Sequence, residues 1–285
     1  NNIEVVSITS VGVESEPQSF SLVYDKKAGQ ADLYILTIGI NKYKNPSYQL
    51  NYARNDADSF LKEVSQGAAP LFGKVKSFSV NDEDATKQGI VEQLKTIANE
   101  IGPEDVFVMY YAGHGVMGID EDEFYLVSHD VTNLFGDQKM LNEKALSATE
   151  LLEHSKNIVA QKQLFVLDAC QSGGALTAFA QRGAPREKAL AQLARSSGTY
   201  FLTASQDAQY ANEVGDLKHG IFTYSILEIL QGEATEFTAD NKITVNEIKT
   251  YVETRVPELS KKYHGTEQFP TGYSFGQDFP LVIVR

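Results

Sequence analysis

The chain has little sulfur, no long apolar run and a deficit of positive charge, and each shortage removes a class of protein. Cys170 is the only cysteine in 285 residues, so no disulfide framework can staple the fold. A single thiol fits a reducing compartment, and a cytoplasmic location is expected. No stretch approaches the roughly 18 consecutive apolar residues of a membrane helix. No basic segment followed by an apolar one opens this chain, and no membrane partner is expected. The first residue is Asn1 rather than Met, from which a removed upstream signal or an upstream regulatory domain is expected. Lys and Arg number 25 against 38 Asp and Glu, for a formal net charge of −13. Such a chain repels phosphate backbones, so no nucleic-acid partner is expected, and a partner selected by charge is basic.

What remains is an ordinary globular composition, 42% hydrophobic and 22% charged with 21 glycines, enough for one large core or two modest ones. Four segments share one design: DLYILTIGI (32–40), VFVMYYAG (106–113), QLFVLDAC (163–170) and TYFLTAS (199–205). Each is continuously apolar, rich in β-branched and aromatic residues, and ends in small residues, as strands covered on both faces do. KVKSFSV (74–80) reads as a fifth strand. Between the strands lie helical patterns. Ala53, Ala57, Phe60, Leu61 and Val64 share one face, and Ile90, Leu94 and Ile97 share another after an acidic Asp82-Glu83-Asp84 start, which suits a helix N-terminus. Further helices are expected over 147–160, 220–231 and 244–256. The alternation predicts an α/β fold, a doubly wound and mostly parallel sheet with helices on both faces.

Residues 1–31 stand outside that alternation. Their strand-like NIEVVSITSVGV and SFSLVYD read as an extra edge pair or as the remnant of an upstream domain, leaving 32–285 as the main domain. A second irregular stretch, AQRGAPREKALAQLARSSG, covers 180–198 between two core strands and reads as an exposed basic connection.

In a doubly wound sheet ligands bind beyond the carboxyl ends of the strands, and Cys170 lies at such an end. A strand-end cysteine is often no more than a small buried hydrophobe. A thiolate nucleophile needs a base, usually histidine, and His114 ends its own apolar strand between Gly113 and Gly115. If the two strands are neighbours, His114 and Cys170 emerge side by side. The amides of Gly115 and Cys170 would then form an oxyanion hole. No metal is assigned: IDEDE (119–123) is acid-rich, but it lacks the ligand spacing of a calcium loop and reads as a solvated turn. A nucleotide-binding role is disfavoured, because no glycine-rich phosphate loop follows the first strand.

YYAGHG followed by LDACQSGG resembles the paired motif of the caspase-like cysteine peptidases, and within them the metacaspase and bacterial orthocaspase branch. His114 lies 56 residues before Cys170, against about 50 in caspases. The similarity extends through GINKY (39–43), LNYARNDADSF (50–60), FYLVSHD (124–130), FLTASQDAQYANE (201–213), HGIFTYSILEIL (219–230) and GTEQFPTGYSFGQDFPL (265–281). The resemblance implies a caspase-like fold and a cysteine endopeptidase. In it Asp56, Asp168 and, less directly, Asp207 line the pocket for the side chain before the scissile bond. Carboxylates there select protein or peptide substrates with Arg or Lys. It also implies self-processing within the connection, at Arg182, Arg186, Lys188 or Arg195. Some metacaspases need calcium, but their acids shortly after the cysteine have no match in GGALTAFA (173–180), and no cofactor is expected. The alternative is a catalytically silent module that binds a protein partner in the same cleft.

Overall fold

The apolar runs become the centre of one sheet, and their burial shows why they carry no polar alternation. In a computed structural model of the chain, residues 2–21, 29–119, 123–169, 199–204, 213–234, 237, 240–274 and 276–284 are described. Strands β1 (Leu33–Gly39) and β3 (Val106–Gly113) are buried at every residue, and β4 (Lys162–Ala169) at every residue after Lys162. With β2 (Val75–Asn81), β5 (Thr199–Thr203) and β6 (Thr271–Ser274) they make six strands in the order β6-β5-β4-β3-β1-β2. Only β6 is antiparallel to its neighbour. β2, at one edge, is half exposed.

Alternate residues of each strand feed different layers. Leu33, Ile35, Val108, Tyr110, Leu164 and Val166 pack with α1 (Ala53–Ala68), α5 (Ile221–Leu230) and α6 (Val245–His264). Tyr34, Leu36, Phe107, Met109, Phe165 and Leu167 pack with α2 (Lys87–Glu100), α3 (Gln138–Lys144) and α4 (Ala148–Asn157). In the first layer Phe60 stacks on Tyr110 with ring centroids 4.5 Å apart, a fully buried contact whose truncation to Ala costs about 3–5 kcal/mol. The chain leaves β1 through α1 for β2 and returns through α2 to β3 on the other side of β1. The carboxyl ends of β1 and β3 therefore face the crevice where the winding reverses.

Three local readings need correction. The third expected helix stops before Pro257, yet α6 continues through it to His264 and ends on Gly265 with φ of 74°. Proline removes one helical hydrogen bond. Burial of Val256, Leu259 and Ser260, and a hydrogen bond from Gln268 N to Ser260 Oγ at 2.7 Å, hold the turns beyond it. Asp82 does not start α2, whose cap is Thr86 accepting from Gly89 N. Asp82 is buried with φ of 46° and accepts from the amides of Asn41 and Lys42 and from Arg54, bracing the loop after β1. Glu123, at the end of the acidic run read as solvated, is buried and accepts from the amide and hydroxyl of Thr149 at the start of α4.

Residues Asn1–Gln30 form a compact unit of their own, in which Asn2–Val5 pairs antiparallel with Gln18–Ser21. Ala31–Arg285 form the other unit.

Candidate active site

β3 and β4 lie side by side in parallel, with Gly113 opposite Ala169. His114 follows Gly113, and Cys170 follows Ala169 in the chain. Cys170 lies outside the described residues, as do Asp207, Arg182, Arg186, Lys188 and Arg195.

Three tyrosines fix His114. The Tyr111 hydroxyl is 2.7 Å from the His114 carbonyl and 2.8 Å from that of Val127. The Tyr43 hydroxyl accepts from His114 N at 2.8 Å, and its ring lies 4.9 Å from the imidazole, centroid to centroid. A Cβ on Gly113 would sit 2.6 Å from the Tyr111 hydroxyl and 2.7 Å from that of Tyr43, so only glycine lets both hydroxyls close around this peptide. Nε2 is 2.8 Å from the Tyr48 carbonyl. A carbonyl only accepts, so Nε2 carries the hydrogen and Nδ1 of the neutral ring carries the lone pair. Burial holds the His114 imidazole below its ordinary pKa, against weaker upward pulls from the Tyr48 carbonyl and the Glu213 charge. The neutral form, able to take a proton, is favoured.

Gly115 begins a short strand, Gly115–Met117, paired antiparallel with Phe124–Leu126. Val127 N donates to His114 O and Gly118 N to Glu123 O. These are the hydrogen-bonded pairs of the ladder, so Gly115 occupies a non-hydrogen-bonded pair with its N–H directed away from the partner strand.

The two described acids of the expected pocket do meet. Asp56, in the first turn of α1, and Asp168, near the end of β4, are both buried. A Cβ on Gly220, at the N-terminus of α5, would lie 3.0 Å from Asp168 Oδ2 and 3.3 Å from Asp56 Oδ2. Asp56 accepts from His219 Nδ1 at 2.5 Å and from Gly220 N at 3.0 Å. Asp168 accepts from Thr223 Oγ1 at 2.5 Å, and Tyr110 OH lies 2.5 Å behind that hydroxyl. Burial, then the neighbouring Asp56 charge, raises the Asp168 carboxyl to about 7. Burial likewise raises Asp56 to about 6, although His219 and Gly220 pull it down. The Asp56 charge so close by adds to the cost of ionising the buried Asp168.

Glu213 connects the acids to the histidine. Its carboxylate accepts from the amides of Asn51 and Tyr52, anchoring the loop whose Tyr48 carbonyl holds His114. Its charge reaches His114, Asp56 and Asp168 alike. Sequence reasoning assigned no role to Glu213, His219, Gly220 or Thr223, although the stretches FLTASQDAQYANE and HGIFTYSILEIL contain them. Among the described residues no three His, Cys, Asp or Glu side chains group to hold a metal ion, and no helix is long and apolar enough to cross a membrane.

The sequence matches the family profile described as the caspase domain over residues 33–279. The chain therefore belongs to the caspase-domain family of cysteine peptidases, and its sheet and flanking helices are those of a caspase-like α/β fold. A search of curated proteins found no match. Among solved structures, that of protein GSU0716 from Geobacter sulfurreducens aligns with a TM-score of 0.61 at 15% identity, covering 89% of this chain and all of that one. At that identity the likeness concerns the fold.

Proposed function

We propose that this caspase-domain protein is a cysteine endopeptidase of the metacaspase and orthocaspase kind, cleaving peptide bonds after Arg or Lys. The observation that carries the specificity is the convergence of Asp56 and Asp168 across Gly220. A guanidinium or ammonium entering there lets both carboxylates ionise and forms charge-assisted hydrogen bonds. An acidic side chain would add a third negative charge to a buried site. Asp207 is assigned to the same pocket on the family resemblance.

In the proposed reaction His114 Nδ1 takes the proton of the Cys170 thiol, and the thiolate attacks the carbonyl carbon after the basic residue. The amides of Gly115 and Cys170 receive the negative charge on the carbonyl oxygen. His114 returns its proton to the departing amine as the C–N bond breaks, leaving a thioester. Water, deprotonated by His114, then releases the acid and the thiol. The register of Gly113 with Ala169 supports this pairing, since the parallel strands that lead to His114 and to Cys170 end level with each other. The neutral, Nε2-protonated His114 supports its role as base.

The connection 180–198 joins β4 to β5, which are neighbours in the sheet. Cleavage at Arg182, Arg186, Lys188 or Arg195 by the enzyme's own specificity would leave two fragments held together by that pairing. The proposed specificity is tested with matched fluorogenic peptides carrying Arg, Lys, Asp or Leu before the scissile bond. Arg and Lys peptides should be cleaved and the Asp peptide refused. Preference for Asp overturns the pocket reading.

A further inference from the structure

The pocket sets two acids together, and the fold supplies one of them with a basic partner of its own. His219 and Gly220 form one side of a two-residue hairpin whose other side is Glu213 and Val214. Lys218 precedes His219 with φ of 56°, and Asn55 Nδ2 donates to its carbonyl at 2.8 Å. Helix α1 thus fixes the turn that presents the imidazole. His219 Nδ1 meets Asp56 Oδ1 while Gly220 N meets Oδ2, so both oxygens of this carboxylate are held and Oδ2 is aimed towards Asp168. Among the described residues, the other titratable groups facing Asp56 are Glu213 from the hairpin, Asp168 from β4 and the Tyr110 phenol from β3. None of these can supply positive charge.

We propose that His219 is the positioning residue that keeps Asp56 ionised and oriented across Gly220, so that the pocket accepts a basic side chain at neutral pH. This rests on the reading of the pocket given above. Burial and the Glu213 charge oppose ionisation of Asp56, and the His219 hydrogen bond and charge favour it. Without His219, burial and the Glu213 charge prevail over a wider range, and protonation of Asp56 extends into neutral pH. A protonated Asp56 offers no charge to a guanidinium. The assignment gives His219 a function distinct from that of His114: it touches neither the scissile bond nor the thiol, and acts on substrate selection through Asp56.

The test is the pH profile of kcat/KM on an arginyl reporter for wild type, His219→Ala and His219→Asn. The Asn amide nitrogen replaces Nδ1 as donor without the ring. Loss of His219 should move the acid limb upward by about one pH unit, which is about a fivefold loss at pH 6 and about a tenfold loss well below it. The loss should shrink as pH rises and be smallest at pH 8.5, where the carboxylate is ionised in both proteins. His219→Asn should recover most of the loss. An equal loss at every pH, or no shift, overturns the proposal. A second readout needs no turnover: the carboxyl carbon-13 titration of Asp56 in Cys170→Ala protein, with and without His219→Ala. A higher Asp56 midpoint without His219 supports the proposal, and an unchanged one overturns it. Failure of wild type to cleave the reporter would count against the pocket reading, while this titration still decides the role of His219.

Discussion

Asp56 and Asp168, one on the first turn of α1 and the other at the end of β4, reach the same point in space, the position a side chain on Gly220 would occupy. Gly220 has φ of −64°, which any residue adopts, so glycine is needed there for room and not for backbone freedom. Gly220→Ala should therefore fold normally. Its methyl would sit against both carboxylates, raising KM for arginyl peptides about tenfold or more, as expected for losing one charge-assisted hydrogen bond. A thermal melt close to wild type together with unchanged KM would contradict this role.

Asp168→Asn should exchange function for stability. The folded carboxyl titrates at about 7 against an ordinary 3.8, so the native state holds its proton more tightly than the unfolded chain. Its contribution to stability is fully present below about pH 4 and is lost as pH rises through 7. Asparagine keeps an acceptor for Thr223 and removes the charge. The variant should match wild type at pH 4 and exceed it at pH 8 by on the order of 2 kcal/mol. Arginyl kcat/KM should fall roughly tenfold to a hundredfold. Urea unfolding at the two pH values checks the first part, and equal stability at pH 8 would contradict it.

Glu213→Gln should alter the profile in two ways. Removing the charge lowers the pKa of His114, Asp56 and Asp168 together, since Glu213 raises all three. Each group then reaches its working form at lower pH, and the acid limb of kcat/KM should move down, opposite to the shift expected for loss of His219. Weaker anchoring of Asn51 and Tyr52 should lower the plateau as well. An upward shift would contradict the placement of Glu213 between base and pocket.

The strands were legible because β1, β3 and β4 are covered on both faces, which leaves runs dominated by apolar and aromatic residues that end where the crevice begins. His114 was legible for the same reason, since it follows the end of such a run, whereas Asp168 was assigned to the pocket through the family resemblance. Asp56 became legible through the family resemblance, since its position in a helix's first turn says nothing of what it faces. His219, Gly220 and Glu213 were not, because they lie in strands of two residues each, too short for any periodic signal. Their partners are fixed only when α1 packs beside α5. The end of α6 was misread because Pro257 is a local signal against helix, and the opposing contacts come from Val256, Leu259 and Gln268 in the folded core.

Self-processing should appear as a shift in intact mass after incubation, with new termini at Arg182, Arg186, Lys188 or Arg195. The fragments should elute together at neutral pH, because β4 and β5 share a ladder from Gln163 opposite Thr199 to Leu167 opposite Thr203. The same cut in Cys170→Ala protein would assign it to another protease.

The most direct measurement is the initial rate on an arginyl reporter peptide for wild type and for Cys170→Ala, both purified in reducing buffer. Wild type should turn the peptide over and the variant should lose at least about a thousandfold, since removing one member of a cooperating nucleophile and base pair abolishes most of the pathway. Equal rates in the two proteins, or no turnover in wild type, would contradict the proposed reaction.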